Sequence, residues 1–139
     1  MSMDVTNILN KLNPQQEIAV TSECPHLLVL AGAGSGKTRI LVHRIAWKIQ
    51  VNNVPSHGVL AVTFTNKAAR EMKERIDQLL KIPAQGMWVG TFHGLAHRLL
   101  RSHWRDADLA EDFQILDSDD QLRLIKRLMR TLDLDEQRW

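Results

Sequence analysis

Residues 31–38 read Ala31-Gly32-Ala33-Gly34-Ser35-Gly36-Lys37-Thr38, between the apolar run Leu27-Leu28-Val29-Leu30 and a stretch of helical periodicity. Few strings of this length constrain a fold so tightly. The glycines let the backbone turn inward, so that successive N–H groups converge on one point. The helix that follows adds the positive end of its dipole. An anion belongs at such a point, and the trailing Lys37 and Thr38 specify which one. Lys37 is placed to reach the β- and γ-phosphates of ATP, and Thr38 to ligate Mg²⁺ through its hydroxyl. These two are the candidate catalytic residues, and Ala31, Gly32, Ala33, Gly34, Ser35 and Gly36 complete the candidate nucleotide cradle. The general pattern asks for glycine where Ala31 stands. A glycine-rich turn with no ligand is the alternative, and the strand–loop–helix context with Gly-Lys-Thr weighs against it.

The rest of the chain repeats that alternation. Asn13-Pro14 opens a helix, a capping side chain followed by proline at the first helical position. Residues 27–30 predict a strand buried on both faces. The spacing of Ile40, Leu41, Arg44, Ile45 and Lys48 carries a helix to about Gln50. Residues 52–58 form a polar turn, 59–64 a second strand, and Thr65 caps a helix over 66–80 with the inner stripe Ala69, Met72, Ile76, Leu79 and Leu80. A loop at 82–86 containing Pro83 leads to a third strand at 87–91, and a helix from about Gly94 to Trp104 follows. Strand and helix in alternation predict an α/β fold with a parallel sheet and right-handed crossovers. Beyond about 92–94 the pattern becomes helical only. Arg98, Arg101 and Arg105 are basic, 106–120 carries only acidic charges, and Ser118-x-x-Gln121 is a capping box for a helix over 119–133.

The totals exclude several classes. Apolar residues at 44% rule out wholesale disorder, and a net charge of +2 offers no general argument for nucleic acid. Cys24 is the single cysteine, so no internal disulfide forms. No basic region followed by an apolar run opens the chain, and the longest apolar run is far too short to span a bilayer. A soluble, intracellular chain is expected, with no membrane partner. Asp133-Leu134-Asp135-Glu136 resembles the acidic first turn of another helix, which suggests a piece of a longer protein.

Individual residues carry two readings each. Gln16 lies three residues after Asn13 and completes a capping box with it; alternatively its amide matches the donor–acceptor edge of adenine. On sequence alone the cap is slightly favoured. Phe64 closes an apolar strand and reads as core. His93 and His97 have the spacing of a zinc pair, without a third ligand or the glutamate of a metalloprotease helix. His103 and the Arg98–Arg105 row read as solvated.

Four motifs in order then carry a resemblance. Leu12-Asn13-Pro14-Gln15-Gln16 resembles the Q motif of superfamily 1 helicases. Residues 31–38 resemble their motif I, where alanine in the first position is usual. Val62-Thr63-Phe64-Thr65-Asn66-Lys67-Ala68-Ala69 is similar to motif Ia, and Gly90-Thr91-Phe92-His93-Gly94 to motif Ib. The likeness covers nearly the whole chain and is strongest to the UvrD/Rep/PcrA family of DNA helicases. It implies an incomplete RecA-like P-loop NTPase domain over 1–91 and the start of a helical insertion over 92–139. It implies that Gln16 reads adenine and that Arg39 lies near the nucleotide. Phe64 would stack on a base of single-stranded DNA, with Thr65, Asn66, Thr91 and His93 on the strand. Such stacking is sequence-tolerant because every base has a π-face. The implied activity is ATP-dependent 3′ to 5′ translocation on single-stranded DNA and opening of duplex/single-strand junctions. The implied setting is cytoplasmic, with DNA-repair proteins as partners in nucleotide excision and mismatch repair.

Parts of that machinery are not found in these residues. Phosphoryl transfer also needs a carboxylate for Mg²⁺, a water-positioning group and an arginine for the developing charge. No apolar run ending in Asp-Glu follows Thr38; Ile115-Leu116-Asp117 is the nearest approach. The chain by itself is therefore expected to bind nucleotide without hydrolysing it. With the motif II strand missing, the strand at 27–30 would keep an unpaired apolar edge, and self-association or a partly rearranged fold is expected. A binding module for nucleotide or single-stranded DNA, with no motor, is the rival from another class. A P-loop kinase is a more distant one, since it predicts an acceptor site in place of Thr91-Phe92-His93-Gly94.

Overall fold

The computed structural model describes residues 5–81, 86–116 and 118–134. Contacts divide the chain into two units, 1–96 and 97–139. In the first unit a short helix α1 (Thr6–Leu9) precedes α2 (Pro14–Thr21), α3 (Lys37–Gln50), a single 3-10 turn (Ser56–Gly58), β1 (Leu60–Thr63), α4 (Asn66–Leu80) and β2 (Trp88–Thr91). Helix α5 (Phe92–Ser102) crosses from the first unit into the second, which also contains α6 (Ser118–Thr131).

Local chemistry explains most of these boundaries. Asn13 accepts from Gln16 N at 2.9 Å and Gln16 Oε1 accepts from Asn13 N at 3.1 Å, so the capping box forms with Pro14 behind it. Helix α4 keeps the expected limits because Thr65 caps it and Ala69, Met72, Ile76 and Leu80 bury one stripe. Helix α6 begins one residue earlier than the capping box suggests, at Ser118 itself. The expected loop residues 82–85 and the expected acidic helix start from Asp135 onward lie outside the described residues.

Strands β1 and β2 pair in parallel, with Leu60 opposite Trp88 and Thr63 opposite Thr91. They form a two-stranded sheet. Ile8, Val20, Val42, Ala46, Ala61, Met72, Ile76, Met87 and Val89 form the core around it. Each large aliphatic among them adds about 1.5–3 kcal/mol of burial. The guanidinium of Arg44 ties α3 to the end of α2. It donates to the carbonyls of Ala19 at 2.8 Å, Ser22 at 3.0 Å and Cys24 at 3.3 Å, acceptors that the helix end leaves open.

One expected strand is not formed. Residues 27–30 carry no ladder, and Leu28 and Leu30 are 81% and 85% exposed. A strand is a paired object: its N–H and C=O groups need a neighbour, and among the described residues none lies beside this run. Leu28 and Leu30, read as buried, therefore end as exposed surface, while Val29 packs against the core. The parallel sheet is real but smaller than the periodicity predicts.

Candidate functional site

Three of the turns that lead into helices end differently. At α4 the Thr65 hydroxyl accepts from Ala68 N at 3.1 Å, and at α5 the Thr91 hydroxyl accepts from Gly94 N at 3.2 Å. At α3 the cap position is Gly36, with φ at 90° and no capping side chain. The N–H groups of that first turn stay open, which is what an anion site requires. Gly34 also has positive φ, 75°. A Cβ on Gly36 would sit 2.8 Å from Gln16 Nε2, whereas at Gly32 and Gly34 it would meet nothing within 4 Å. The glycines thus leave the loop open on one side and closely seated against α2 on the other.

Gln16 does the seating. Besides its part in the capping box, its Nε2 donates to Ser35 O at 3.1 Å. One amide therefore joins the start of α2 to the loop. It keeps one N–H and one oxygen lone pair for other use. The Ser35 hydroxyl closes the loop from within, donating to Gly32 O at 2.7 Å. Lys37 Nζ lies over the loop, donating to Gly32 O at 2.6 Å and Ala31 O at 3.0 Å. Its charge is held where the carbonyls gather, on exposed bonds that an anion can replace.

Ala33, Thr38 and Arg39 are exposed. Arg39 Nη1 donates to Lys11 O at 3.4 Å. It borders a concavity of about 330 Å³ that Lys11, His43 and Arg75 also line. A second concavity of about 400 Å³ is lined by Gln16, Ala31, Ser35 and Ile40 together with Leu28 and Leu30. Gln16 thus stands between the loop and an apolar hollow.

The ends of β1 and β2 make a separate feature. Phe64 follows Thr63, the last paired residue of β1, and Phe92 follows Thr91, the last of β2. Phe64 is 89% exposed, which overturns the core reading, since it falls one residue past the ladder and faces solvent. Phe92 is 57% exposed, and the two rings stand 5.7 Å apart at 52°. Asn66 and His93 are exposed in the first turns of α4 and α5. Phe92 is the residue that sequence reasoning missed. It lies within the motif Ib segment, but only the Thr63–Thr91 register reveals it as the neighbour of Phe64.

In the second unit, Arg101 is no solvated cation. It donates to Glu111 O at 2.6 Å and Phe113 O at 2.7 Å, and its guanidinium carbon lies 4.6 Å from the Phe113 ring centroid. Its Nε also donates to His97 Nε2 at 3.3 Å, so that ring nitrogen already has a partner. His103 is exposed, with Nδ1 3.2 Å from Asp106 Oδ2. No helix among the described residues is long and apolar enough to cross a membrane.

An uncapped glycine loop before a helix, followed by Lys-Thr, has the local form of an anion-binding turn. The family can be stated more closely. The chain matches the UvrD/REP helicase N-terminal domain over residues 12–139, and it belongs to that family. It is 62% identical to DNA helicase II of Escherichia coli (strain K12) over 137 residues, 99% of this chain and 19% of that protein. It is 56% identical to DNA helicase II of Haemophilus influenzae over 138 residues, covering 96% of this chain and 19% of the relative. With the ATP-dependent DNA helicase PcrA of Bacillus subtilis (strain 168) it shares 45% over 132 residues, 95% of this chain and 18% of that protein. The chain thus spans about a fifth of the length of these relatives.

Proposed function

We propose that this chain is the ATP-binding N-terminal portion of a 3′ to 5′ DNA helicase that moves along single-stranded DNA in DNA repair. The observation that carries this reading is the start of α3, left uncapped beside helices whose threonines close the equivalent turns. Open N–H groups, an open face at Gly32 and Gly34, and a lysine ammonium over the loop fit a polyphosphate. Gly36 and the residues before it offer N–H groups to the phosphates. Lys37 would exchange its two carbonyl acceptors for phosphate oxygens, and the Thr38 hydroxyl would hold Mg²⁺. Bound Mg²⁺ would supply charge neutralisation on the phosphates. Gln16 has the spare N–H and lone pair that adenine requires, and Arg39 lies on the same helix start.

The DNA half of the proposal rests on Phe64 and Phe92. Two exposed aromatic rings side by side in water are a poor arrangement for stability and a good one for bases. Thr65, Asn66, Thr91 and His93 surround them as candidate contacts to the strand. Titrating a labelled dT oligonucleotide and a dA oligonucleotide against the chain tests this. Similar affinity for both, reduced in Phe64→Ala, supports it; equal affinity in that variant contradicts it. The cradle is present without the carboxylate pair and arginine of the reaction, so the chain by itself should bind ATP without turnover. Lys37-dependent phosphate release in a malachite-green assay would contradict that.

A further inference from the structure

Among the described residues two polar side chains are buried, Gln16 and His43. Gln16 has a proposed task and His43 has none. The His43 Nδ1 lies on the carbonyl oxygen of Ile8. A carbonyl only accepts, so Nδ1 carries a proton and donates it. Ile8 belongs to α1, a single turn whose last carbonyls find no partner within the helix. One turn earlier on α3, Arg39 Nη1 donates to Lys11 O at 3.4 Å. Residues 39 and 43 are four apart and share a helix face. That face takes two carbonyls of the segment leading into Asn13. The Arg39 bond is exposed, whereas His43 and Ile8 are 8% and 1% exposed. The bond shielded from water is the stronger anchor.

The segment so held sets the sense of the Gln16 amide. Asn13 N donates to Gln16 Oε1 at 3.1 Å, and Gln16 Nε2 donates to Ser35 O at 3.1 Å. An amide turns end for end with almost no change of shape. Here that turn would set the NH₂ against the Asn13 N–H and the oxygen against the Ser35 carbonyl. The lock holds while Asn13 N keeps its place, and Lys11 and Leu12 lead directly into it. Adenine offers a donor and an acceptor at N6 and N7, whereas guanine offers two acceptors at O6 and N7. An amide fixed in one sense makes both bonds to adenine and one to guanine. An amide free to turn discriminates less. His43 itself lies six residues beyond Lys37, about 9 Å along the helix, with its ring turned to α1, so it acts through this segment and not on the phosphates.

We propose that His43 is a positioning residue for base selection: by holding Ile8 it keeps the Gln16 amide in the sense that favours ATP over GTP. The proposal rests on the reading of Gln16 as the adenine contact. The test is calorimetric titration of the 139-residue chain with Mg·ATP, Mg·GTP and tripolyphosphate, the last of which reads the phosphate loop without a base. Wild-type chain prefers ATP to GTP, and Gln16→Ala removes the preference. His43→Leu keeps apolar bulk and loses the donor; it lowers the ATP/GTP affinity ratio about five- to ten-fold, the worth of roughly one hydrogen bond. Tripolyphosphate affinity holds within about two-fold, because the phosphate loop is remote from the change. His43→Asn puts an amide N–H where Nδ1 stood and restores the ratio. His43→Gln puts it where the far ring nitrogen stood and does not. These two variants carry the comparison if His43→Leu does not fold. A wild-type ratio in His43→Leu or His43→Gln, with the preference lost in Gln16→Ala, overturns the His43 proposal and leaves the adenine reading standing. Tripolyphosphate affinity that falls in step with ATP affinity reduces His43 to a scaffold and overturns it too. No ATP preference in the wild-type chain, or a preference that survives Gln16→Ala, removes the adenine reading and the proposal together.

Discussion

The turns into α3 and α4 share a plan and differ in chemistry. Each follows an apolar run and each opens a long amphipathic helix. Before α4 the run pairs in the sheet, Thr65 seals the first N–H groups, and the aromatic Phe64 is left outside. Before α3 the run is unpaired, glycine takes the cap position, and the N–H groups remain open under a lysine. A capped turn is satisfied by its own side chain and can only present what lies beside it. An uncapped one must be satisfied from outside. That contrast divides the labour proposed here, with phosphate at α3 and nucleobases at the strand ends.

Closing the open turn should have the largest effect. Gly36→Ala places a Cβ against Gln16 Nε2 and demands a left-handed backbone from alanine. Strain and a disturbed Gln16–Ser35 bond together cost about 2–4 kcal/mol. We expect ATP affinity to fall at least ten-fold by calorimetry; wild-type affinity would mean that the loop rearranges freely. Phe64→Ala comes next. Loss of one stacked base is worth about 1–3 kcal/mol in oligonucleotide affinity. The melting temperature should not move, because the ring is 89% exposed; a marked drop would return Phe64 to the core. Thr65→Ala should be smallest, about 1 kcal/mol of stability by urea unfolding, with ATP affinity unchanged. An equal loss of ATP binding would show that the two turns are not independent.

The unpaired run before α3 gives a further test. Leu28 and Leu30 present an apolar edge with free backbone groups, a template for a second copy. Sedimentation should show concentration-dependent association, and Leu28→Lys with Leu30→Lys should leave a monomer. Monomeric wild-type chain at high concentration would contradict this.

What the sequence disclosed follows the range of the forces involved. The glycine turn before α3, the Asn13–Gln16 box and the limits of α4 are local, written in spacing and caps, and all could be read directly. The failure at 27–30 is one of partnership: an apolar run records a wish to be buried, while pairing depends on a neighbour elsewhere in the fold. The core reading of Phe64, made from composition alone, failed for a similar reason. Its composition says core, and only the end of the ladder at Thr63 turns it outward. Phe92 beside Phe64 and the Gln16–Ser35 bond depend on register and packing across distant segments, which one-dimensional patterns do not carry.

The most direct measurement is isothermal titration of the chain with Mg·ATP, beside ADP and AMP, for wild type and Lys37→Ala. Affinity that falls from ATP to AMP, and a loss of ten-fold or more on removing the lysine, is the result this account predicts. No heat of binding, or the same affinity with alanine at position 37, would contradict it.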